Sequence, residues 1–296
     1  MKKEDLGSII LPRFIQPHVK KVWRTFQRWK VNNLSSNISK GEIVKGLRKL
    51  GLKKGMLVWV HCSLSSFGFV EGGPETVVLA LKEAVGKDGT IAMPSFPGHG
   101  GEKKYLSTDP VFDFKSTSSK TGKVSDFFWK MPETLRSKHP THSVAASGPL
   151  AIDIISDHEY SSSEFGNDTP FGKLFSMNSE IVFLGVGIEK LSLYHHIEDV
   201  DSNFPYNVYL DDTFPAKWID NDGKVQVKNV RVHDTELSKY RIETPNGRKI
   251  RKIFLEELSK KNRLRKNKIG SANCLMFSTR SLTQVSDSLL KSGKTI

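Results

Sequence analysis

Two adjacent histidines followed by two carboxylates stand in the stretch SLYHHIEDV, residues 192–200. If this stretch is helical, His195 and Glu198 are three positions apart and share one helix face. His196 is rotated by about 100° from its neighbour and has Asp199 on its own face. A neutral imidazole can take a proton near pH 7, and a carboxylate can orient it. The pattern is therefore typical of general-base chemistry.

The same stretch has two other interpretations. A metal site would need more ligands, because di-iron bundles combine two Glu-x-x-His motifs with two further glutamates on four helices. The sequence contains no such set, so no metal is expected. Alternatively, these side chains only cap and solvate a helix. From these residues alone, capping and general-base catalysis are equally well supported.

A second candidate site lies in HCSLSSFGFVEGG, residues 61–73. Its glycines and small hydroxyl side chains let backbone N–H groups approach a phosphate at the start of a helix. The stretch matches neither the G-x-G-x-x-G fingerprint nor the P-loop, so it does not indicate a dinucleotide or a nucleoside triphosphate. Taken alone, it is more typical of a plain strand-to-helix turn.

Three polar loops lie between these two stretches. Residues 112–128 are rich in hydroxyl groups, and residues 135–149 contain two histidines near Pro140. Residues 165–174 form a turn that can aim Asp168. Each loop can bind a polar ligand or simply cap a helix, so none of them indicates a function alone.

Short apolar runs predict the strands that position these loops, at residues 56–64, 89–96 and 179–187. A helix that opens at Pro74 joins the first two, and a strand–helix–strand unit of about 40 residues favours parallel pairing. The other predicted elements are helices near 122–131 and 149–156, a hairpin turning at 221–223, a basic helix at 248–266 and a final strand and helix.

The composition is that of a globular protein, with 296 residues of which 37% are hydrophobic. Its two cysteines, Cys62 and Cys274, are far apart, which suits a reducing cytoplasm. No apolar run of about 18 residues predicts a transmembrane helix. The sequence has no repeat or low-complexity linker, so we expect one domain with loop insertions at 39–296, after a basic helical segment at 1–38.

The formal net charge of +13 is concentrated in two runs, residues 18–30 and 247–268. A basic excess is the electrostatic footprint of nucleic-acid binding, but neither run contains a recognised nucleic-acid-binding motif. We therefore expect no nucleic-acid partner. Solvated helix faces, or attraction for an anionic cofactor or a membrane surface, explain the charge better.

Taken together and in order, these stretches resemble the aminoglycoside 3-N-acetyltransferase family over about residues 40–290. The resemblance implies an α/β fold in which helices flank a central mixed, partly parallel sheet, distinct from GNAT acetyltransferases. It also implies transfer of an acetyl group from acetyl-CoA to an amine of an amino sugar, and a link to antibiotic resistance. The motifs that carry it are VHCSLSSFGFVEGGPETVVLALKEAVGKDGTIAMPSF, TSSKTG, LRSKHPTHSVAASGP, GNDTPFGKL, VFLGVG and the histidine stretch.

The resemblance implies roles for individual residues. The catalytic histidine of the family lies in an H-x-x-E pattern after the GVG strand, which corresponds to His195 with Glu198. The loop after the first strand is similar to the part that holds the pantetheine and pyrophosphate of the coenzyme, and the TSSKTG loop lines the same channel. The implied coenzyme contacts are Ser63, Leu64, Ser65, Val70, Glu71, Gly72, Gly73, Thr117, Ser119 and Ser143. The implied acceptor contacts are His139, Asp168, His196 and Asp199.

One position departs from the family pattern, in which an apolar residue usually follows the catalytic histidine. His196 stands there, and a shift by one residue would make it the base with Asp199 as its partner. The sequence contains no compelling acyl-carrying nucleophile, because Cys62 falls in an apolar strand. Direct transfer between the two substrates is therefore expected.

The net charge bears on the acceptor. Resistance enzymes bind polycationic aminoglycosides through acidic surfaces, whereas a protein with a charge of +13 repels polycations unless its cleft is locally acidic. We expect a neutral amino sugar, or one attached to an anionic group, as in a nucleotide sugar or glycan precursor. The basic N-terminal helix would bring a cytoplasmic enzyme to a membrane, or contact a second copy. The alternative is a non-catalytic or nucleic-acid-binding protein that reuses the fold.

Overall fold

The computed structural model describes residues 37–98, 100–161 and 163–296. Most of the predicted basic segment at 1–38 lies outside these residues. Its last two positions, Asn37–Ile38, form a short strand rather than a helix. The division into that segment and one domain at 39–296 stays a prediction. None of the helices in the described residues has the length and apolar content needed to cross a membrane.

Strands and helices alternate through most of the chain. The strands are β1 (Asn37–Ile38), β2 (Leu57–Cys62), β3 (Phe69–Val70), β4 (Thr90–Pro94), β5 (Val111–Phe112), β6 (Leu135–Arg136), β7 (Val144–Ser147), β8 (Glu180–Leu184), β9 (Tyr209–Ile219), β10 (Val225–His233), β11 (Arg265–Ile269) and β12 (Ala272–Ser278). The helices are α1 (Lys40–Leu50), α2 (Pro74–Val85), α3 (Glu102–Leu106), α4 (Lys123–Phe128), α5 (Ala151–Ile155), α6 (Pro170–Ser176), α7 (Tyr194–Val200), α8 (Thr235–Glu243), α9 (Pro245–Lys260) and α10 (Thr279–Leu290).

A seven-stranded mixed sheet is the main layer, with the strand order β11-β12-β8-β2-β4-β7-β6. Strand β2 pairs in parallel with both β4 and β8, while the other neighbouring strands of this sheet are antiparallel. Helix α2 connects β2 to β4, so the predicted strand–helix–strand unit is confirmed. The predicted α/β class, with a mixed, partly parallel sheet flanked by helices, is confirmed as well.

Hydrophobic clusters cover both faces of this sheet. Because side chains alternate along a strand, Val58 and Val60 contribute to one cluster with helices α1, α2 and α4. Leu57 and Trp59 contribute to the other cluster, which includes residues of α5, α6, α7, α9 and α10. Because both faces of the sheet are buried, the sequences of β2, β4 and β8 are continuously apolar and do not alternate between apolar and polar residues.

A second sheet, in the order β10-β9-β5, carries the predicted hairpin. Its turn includes Gly223 at φ +79°, a conformation that suits glycine, so the predicted hairpin is confirmed. The predicted basic helix at 248–266 extends too far, because α9 ends at Lys260 and β11 begins at Arg265. Asn262 takes a left-handed conformation at φ +54°, which ends α9, and Gly270 at φ +56° lies in the turn that pairs β11 with β12.

Gly185 holds the carboxyl end of β8 against the loop that follows β2. It has φ +69°, its carbonyl accepts a hydrogen bond from Ser66 Oγ at 2.7 Å, and an added Cβ would lie 2.4 Å from the Cβ of Ser66. Gly223 has a similar φ of +79°, but an added Cβ there would meet nothing within 4 Å. Comparing the same substitution at both glycines therefore separates the effect of a steric contact from that of backbone strain.

We expect Gly185→Ala to lower the free energy of unfolding by more than Gly223→Ala does. Both variants bear the left-handed backbone cost of about 1–2 kcal/mol, and only Gly185→Ala adds a clash with the Ser66 loop. Urea unfolding of both variants measures the difference. Equal losses would show that the contact between Gly185 and the loop relaxes freely.

Candidate active site

Helix α7 presents His195 and Glu198 on one face, as their spacing predicts. The Nδ1 atom of His195 lies 2.6 Å from Oε2 of Glu198. The Glu198 side chain is 2% exposed, whereas that of His195 is 32% exposed and lines a cavity of about 260 Å³. With Nδ1–H donated to the carboxylate, Nε2 of His195 is left as the acceptor.

Arg241 holds the other oxygen of Glu198. Its Nη1 atom lies 2.6 Å from Oε1 of Glu198, and its guanidinium lies over the rings of Tyr194 and Phe204. Burial alone would raise the pKa of Glu198, but His195, Arg241 and His233 outweigh it and hold that pKa below its ordinary value. Glu198 is therefore ionised at neutral pH and able to orient the imidazole.

His196 points away from this cavity. Its side chain is buried, its Nδ1 donates to the carbonyl of Phe165 at 2.6 Å, and its ring packs against Phe175. Burial lowers the pKa of His196, and the hydrogen bond to the Phe165 carbonyl only partly opposes that effect. The two adjacent histidines thus occupy different environments.

Asp199, predicted as an acceptor contact, is bound by other protein groups. Its carboxylate is 3% exposed and lies 2.7 Å from Nη2 of Arg231. The hydroxyl of Tyr209 donates to it at 3.1 Å, and the backbone N–H of Phe165 donates at 3.2 Å. These contacts connect α7 to the hairpin formed by β9 and β10.

The two predicted coenzyme loops meet at the carboxyl ends of the parallel strands. Ser63 donates its N–H to the carbonyl of Leu184 at 2.9 Å, which ties the first loop to the end of β8. An added Cβ on Gly122, in the TSSKTG loop, would lie 3.4 Å from the carbonyl oxygen of Cys62. The first loop leaves Leu64, Ser65, Glu71, Gly72 and Gly73 partly or fully exposed, while Val70 is buried.

Of the remaining predicted coenzyme contacts, Ser119 and Ser143 are buried and Thr117 is half-buried. Arg136, which the sequence analysis did not select, donates from Nε to Ser143 Oγ at 3.2 Å and from Nη1 to the carbonyl of Thr117. Ser143 is fully buried, and Ser119 shares its hydroxyl with Thr121 at 2.7 Å. In this structure these three residues form hydrogen bonds with other protein groups of the loops. Their contact with the coenzyme stays a prediction.

His139 and Asp168, the other predicted acceptor contacts, lie apart from His195. His139 is fully buried and stacks on His158 with the ring centres 4.5 Å apart. Burial, reinforced by His158, holds the pKa of His139 well below its ordinary value. Asp168 is exposed beside a separate groove that it shares with Asp199. The structure does not bring either residue to the cavity.

Four residues near His195 were not selected from the sequence: Glu102, His142, His233 and Arg241. His233 follows a register shift at Arg231–His233, a bulge of the kind that re-aims side chains beside active sites. Its ring lies 4.4 Å from that of His195. Little in the sequence could have predicted this cluster. The available indications were two histidines in predicted loops or turns, His142 in HPTH and His233 at the end of the hairpin.

The match to known proteins covers this whole arrangement. A family model described as aminoglycoside 3-N-acetyltransferase matches residues 59–291. The chain belongs to this family. Its family and its enzyme class, an N-acetyltransferase, are thereby confirmed as predicted.

Individual members of the family are similar over most of their length. The prophage-derived aminoglycoside N(3')-acetyltransferase-like protein YokD of Bacillus subtilis (strain 168) is 30% identical over 258 residues, 81% of this chain and 88% of that protein. Its crystal structure has a TM-score of 0.72 and covers 90% of this chain and 99% of its own. Aminoglycoside N(3)-acetyltransferase VII of Streptomyces paromomycinus is 27% identical over 82% of this chain and 88% of its own.

A more distant member shows the shared fold alone. The structure of AAC-IIIb in a binary complex with CoASH is 22% identical, has a TM-score of 0.73, and covers 87% of this chain and 97% of its own.

We expect Arg241→Met to reduce kcat at least about tenfold, since Glu198 would lose the contact that fixes its orientation toward His195. It should also destabilise the protein by about 3 kcal/mol or more, because a buried carboxylate loses its cation. Arg231→Met is the matched control, since Arg231 pairs with the Asp199 carboxylate on the same helix and not with Glu198. Steady-state kinetics with urea unfolding measures both effects, and equal kcat losses in the two variants would contradict this role of Arg241.

Proposed function

We propose that this protein transfers the acetyl group of acetyl-CoA to an amine of an amino sugar, with His195 as the general base. The observation that carries the proposal is the His195–Glu198 pair, at 2.6 Å, on the wall of an open cavity. Membership of the family and the names of the relatives support the acetyl transfer. The CoASH complex of AAC-IIIb supports the choice of coenzyme.

The chemistry follows from the state of the imidazole. His195 Nε2 takes a proton from the ammonium group of the acceptor, and the freed amine attacks the thioester carbonyl. The tetrahedral intermediate expels the coenzyme thiolate, the attacking nitrogen passes its second proton to that thiolate as the neutral amide forms, and His195 then releases the first proton to solvent. Glu198 stabilises the imidazolium that appears during the reaction, because its carboxylate is ionised and already bonded to Nδ1.

Direct transfer is favoured over an acyl-enzyme. Cys62, at the end of β2, is the thiol next to the coenzyme loop. Burial, together with Cys274, raises the pKa of the Cys62 thiol, so it is protonated at neutral pH and a poor nucleophile. The amine of the acceptor is then the group that attacks acetyl-CoA.

Access favours His195 over His196 as the base. His195 is partly exposed on the cavity, whereas His196 is buried and its Nδ1 is bonded to the carbonyl of Phe165. Asp199, the partner that the alternative requires, is bonded to Arg231 and Tyr209. Neither His196 nor Asp199 lines the cavity that His195 faces, and Asp199 is not available to orient His196.

We expect His195→Gln to lower kcat about 100-fold or more, and His196→Gln to lower it far less, since general-base catalysis contributes about 10²–10⁴-fold. Release of coenzyme thiol from acetyl-CoA in the presence of amino sugars measures the rate. Binding of coenzyme to both variants, followed by calorimetry, controls for folding. Full activity of His195→Gln, or a larger loss in His196→Gln, would overturn the assignment.

The charges around the cavity support an acceptor that is not a polycation. Of its three side-chain carboxylates, Glu198 is paired with the cationic Arg241, Glu102 lies beside two histidines, and Glu189 is exposed. Lys190, on the exposed rim, makes no ion pair within the part of the chain that the structure describes. The lining carries three side-chain carboxylates and three cations, Lys190, Arg241 and Arg251, so it has no excess of negative charge to attract a polycation, and it can accept one amine on a neutral or anionic carrier.

We expect Lys190→Gln to raise the KM for a nucleotide-linked amino sugar and to leave the KM for a free amino sugar nearly unchanged. Lys53→Gln, an exposed lysine before β2, removes the same charge away from the cavity and serves as the control. Raising the salt concentration should weaken use of the anionic acceptor, because ions screen the attraction. Faster turnover of kanamycin-like polycations than of anionic acceptors at low salt would contradict the proposed acceptor class.

A further inference from the structure

Glu102, His142 and His233 form a compact cluster beside the candidate active site. Oε1 of Glu102 lies 2.7 Å from Nε2 of His142 and 3.3 Å from Nδ1 of His233. The other carboxylate oxygen, Oε2, accepts the backbone N–H of His233 at 2.8 Å. The three side chains come from α3, the loop before β7 and the end of β10, and their three ligand atoms lie within 4.8 Å of one another.

His233 faces a carboxylate at each ring nitrogen. Nδ1 faces Glu102, and Nε2 lies 3.8 Å from Oε2 of Glu198 and has no hydrogen-bond partner within the described residues. A neutral imidazole has one N–H, so it can donate to only one of two ionised carboxylates. The other nitrogen then directs its lone pair at an anion, which is unfavourable in a buried site.

We propose that Glu102, His142 and His233 bind a divalent transition-metal ion, Zn²⁺, with an open coordination position on the cavity. A cation between Glu102 and Nδ1 of His233 removes the conflict, because Nδ1 then binds metal and Nε2–H donates toward Glu198. Two imidazoles and one carboxylate, completed by water, are a known donor set for zinc at an open site. Glu102 and His233 both line the cavity, which provides the entry path.

The two distances from Glu102 to the histidines can be compared with those that zinc requires, while the two histidine nitrogens lie within 4.8 Å of each other. Bonds of about 2.0–2.1 Å in a tetrahedral site place the ligand atoms about 3.3 Å apart. The separation between Glu102 Oε1 and His233 Nδ1 is 3.3 Å, and that between Glu102 Oε1 and His142 Nε2 is 2.7 Å. The Glu102 side chain is 19% exposed and lies on a five-residue helix. A small rotation of this side chain would lengthen the 2.7 Å separation from His142 to the value that zinc requires.

The groups behind the ligands also suit a metal ion. A histidine that binds metal through one nitrogen usually donates its other N–H to an oxygen. Nδ1 of His142 lies 3.0 Å from the hydroxyl of Thr141, and Nε2 of His233 faces the Glu198 carboxylate. Both histidines thus have an oxygen on the side away from the proposed ion.

A neighbouring set, His195, Glu198 and His233, also has its ligand atoms within 4.8 Å of one another, but it is a poorer site. Both oxygens of Glu198 are occupied, by His195 and by the cationic Arg241, each at 2.6 Å. A dication there would be repelled by the guanidinium. Glu102 forms no ion pair with a lysine or arginine in the described parts of the chain.

Metal titration of untagged protein, first stripped with a chelator, tests the proposal. We expect one Co²⁺ per chain with the visible absorption of a four-coordinate ion, displaced by Zn²⁺ and not by Mg²⁺. Glu102→Gln and His142→Gln should each weaken Zn²⁺ binding at least about tenfold, since even removal of a partner behind a ligand has an effect of that size. Zn²⁺ should raise the Tm of the wild-type chain and not that of Glu102→Gln.

Two further variants locate the ion. Glu189→Gln removes an exposed carboxylate from the same cavity wall and should keep full Zn²⁺ binding. His195→Gln should keep it too. The proposal is overturned if wild-type protein binds neither ion at micromolar concentration. A second proton on His233 would then be the group that lets both ring nitrogens donate to carboxylates. It is also overturned if His195→Gln abolishes binding while Glu102→Gln retains it.

Discussion

The candidate site depends on one buried, ionised carboxylate. Glu198 is 2% exposed, and the free-energy cost of burying its charge must be offset by specific partners. His195 binds one oxygen and Arg241 the other, each at 2.6 Å. The same contacts that make the charge tolerable also fix the ring of His195. Stability and the proposed base catalysis therefore rest on the same few atoms, and a change to either partner affects both.

That carboxylate also connects two parts of the fold. Helix α7 follows the parallel strand β8, so His195 and Glu198 are positioned by the main sheet. Arg241 and His233 come from the segment that begins with the β9–β10 hairpin and continues into α8. Arg231 on β10 adds a second link through Asp199. The hairpin is thus held on the sheet by ion pairs at the site, while a small apolar cluster packs it against α3.

Local patterns predicted much of this fold. Several elements depend only on residues that are neighbours in the sequence, so the sequence predicts them: the Val-rich strands, the start of α2 at its proline and the turn containing Gly223. The i,i+3 spacing of His195 and Glu198 is local in the same way. The end of the basic helix was misplaced because the residues of β11 are mostly charged and show no apolar strand pattern. The strand is formed by pairing with β12 across the two-residue turn Gly270–Ser271, and this hairpin pairing outweighed the helical pattern.

The rest of the site could not be predicted because its members are far apart along the chain. Glu102 is 40 positions from His142 and 131 from His233, and the packing of the hairpin and of the loop before β7 against α3 brings them together. His139 was preferred over His142 on sequence grounds, yet the turn buries the former on His158 and directs the latter at Glu102. The amino-acid composition was an equally indirect guide to the charge of the cavity. A charge of +13 describes the whole chain, whereas the potential in the cavity depends on which carboxylates are already paired, and that is a property of the folded arrangement alone.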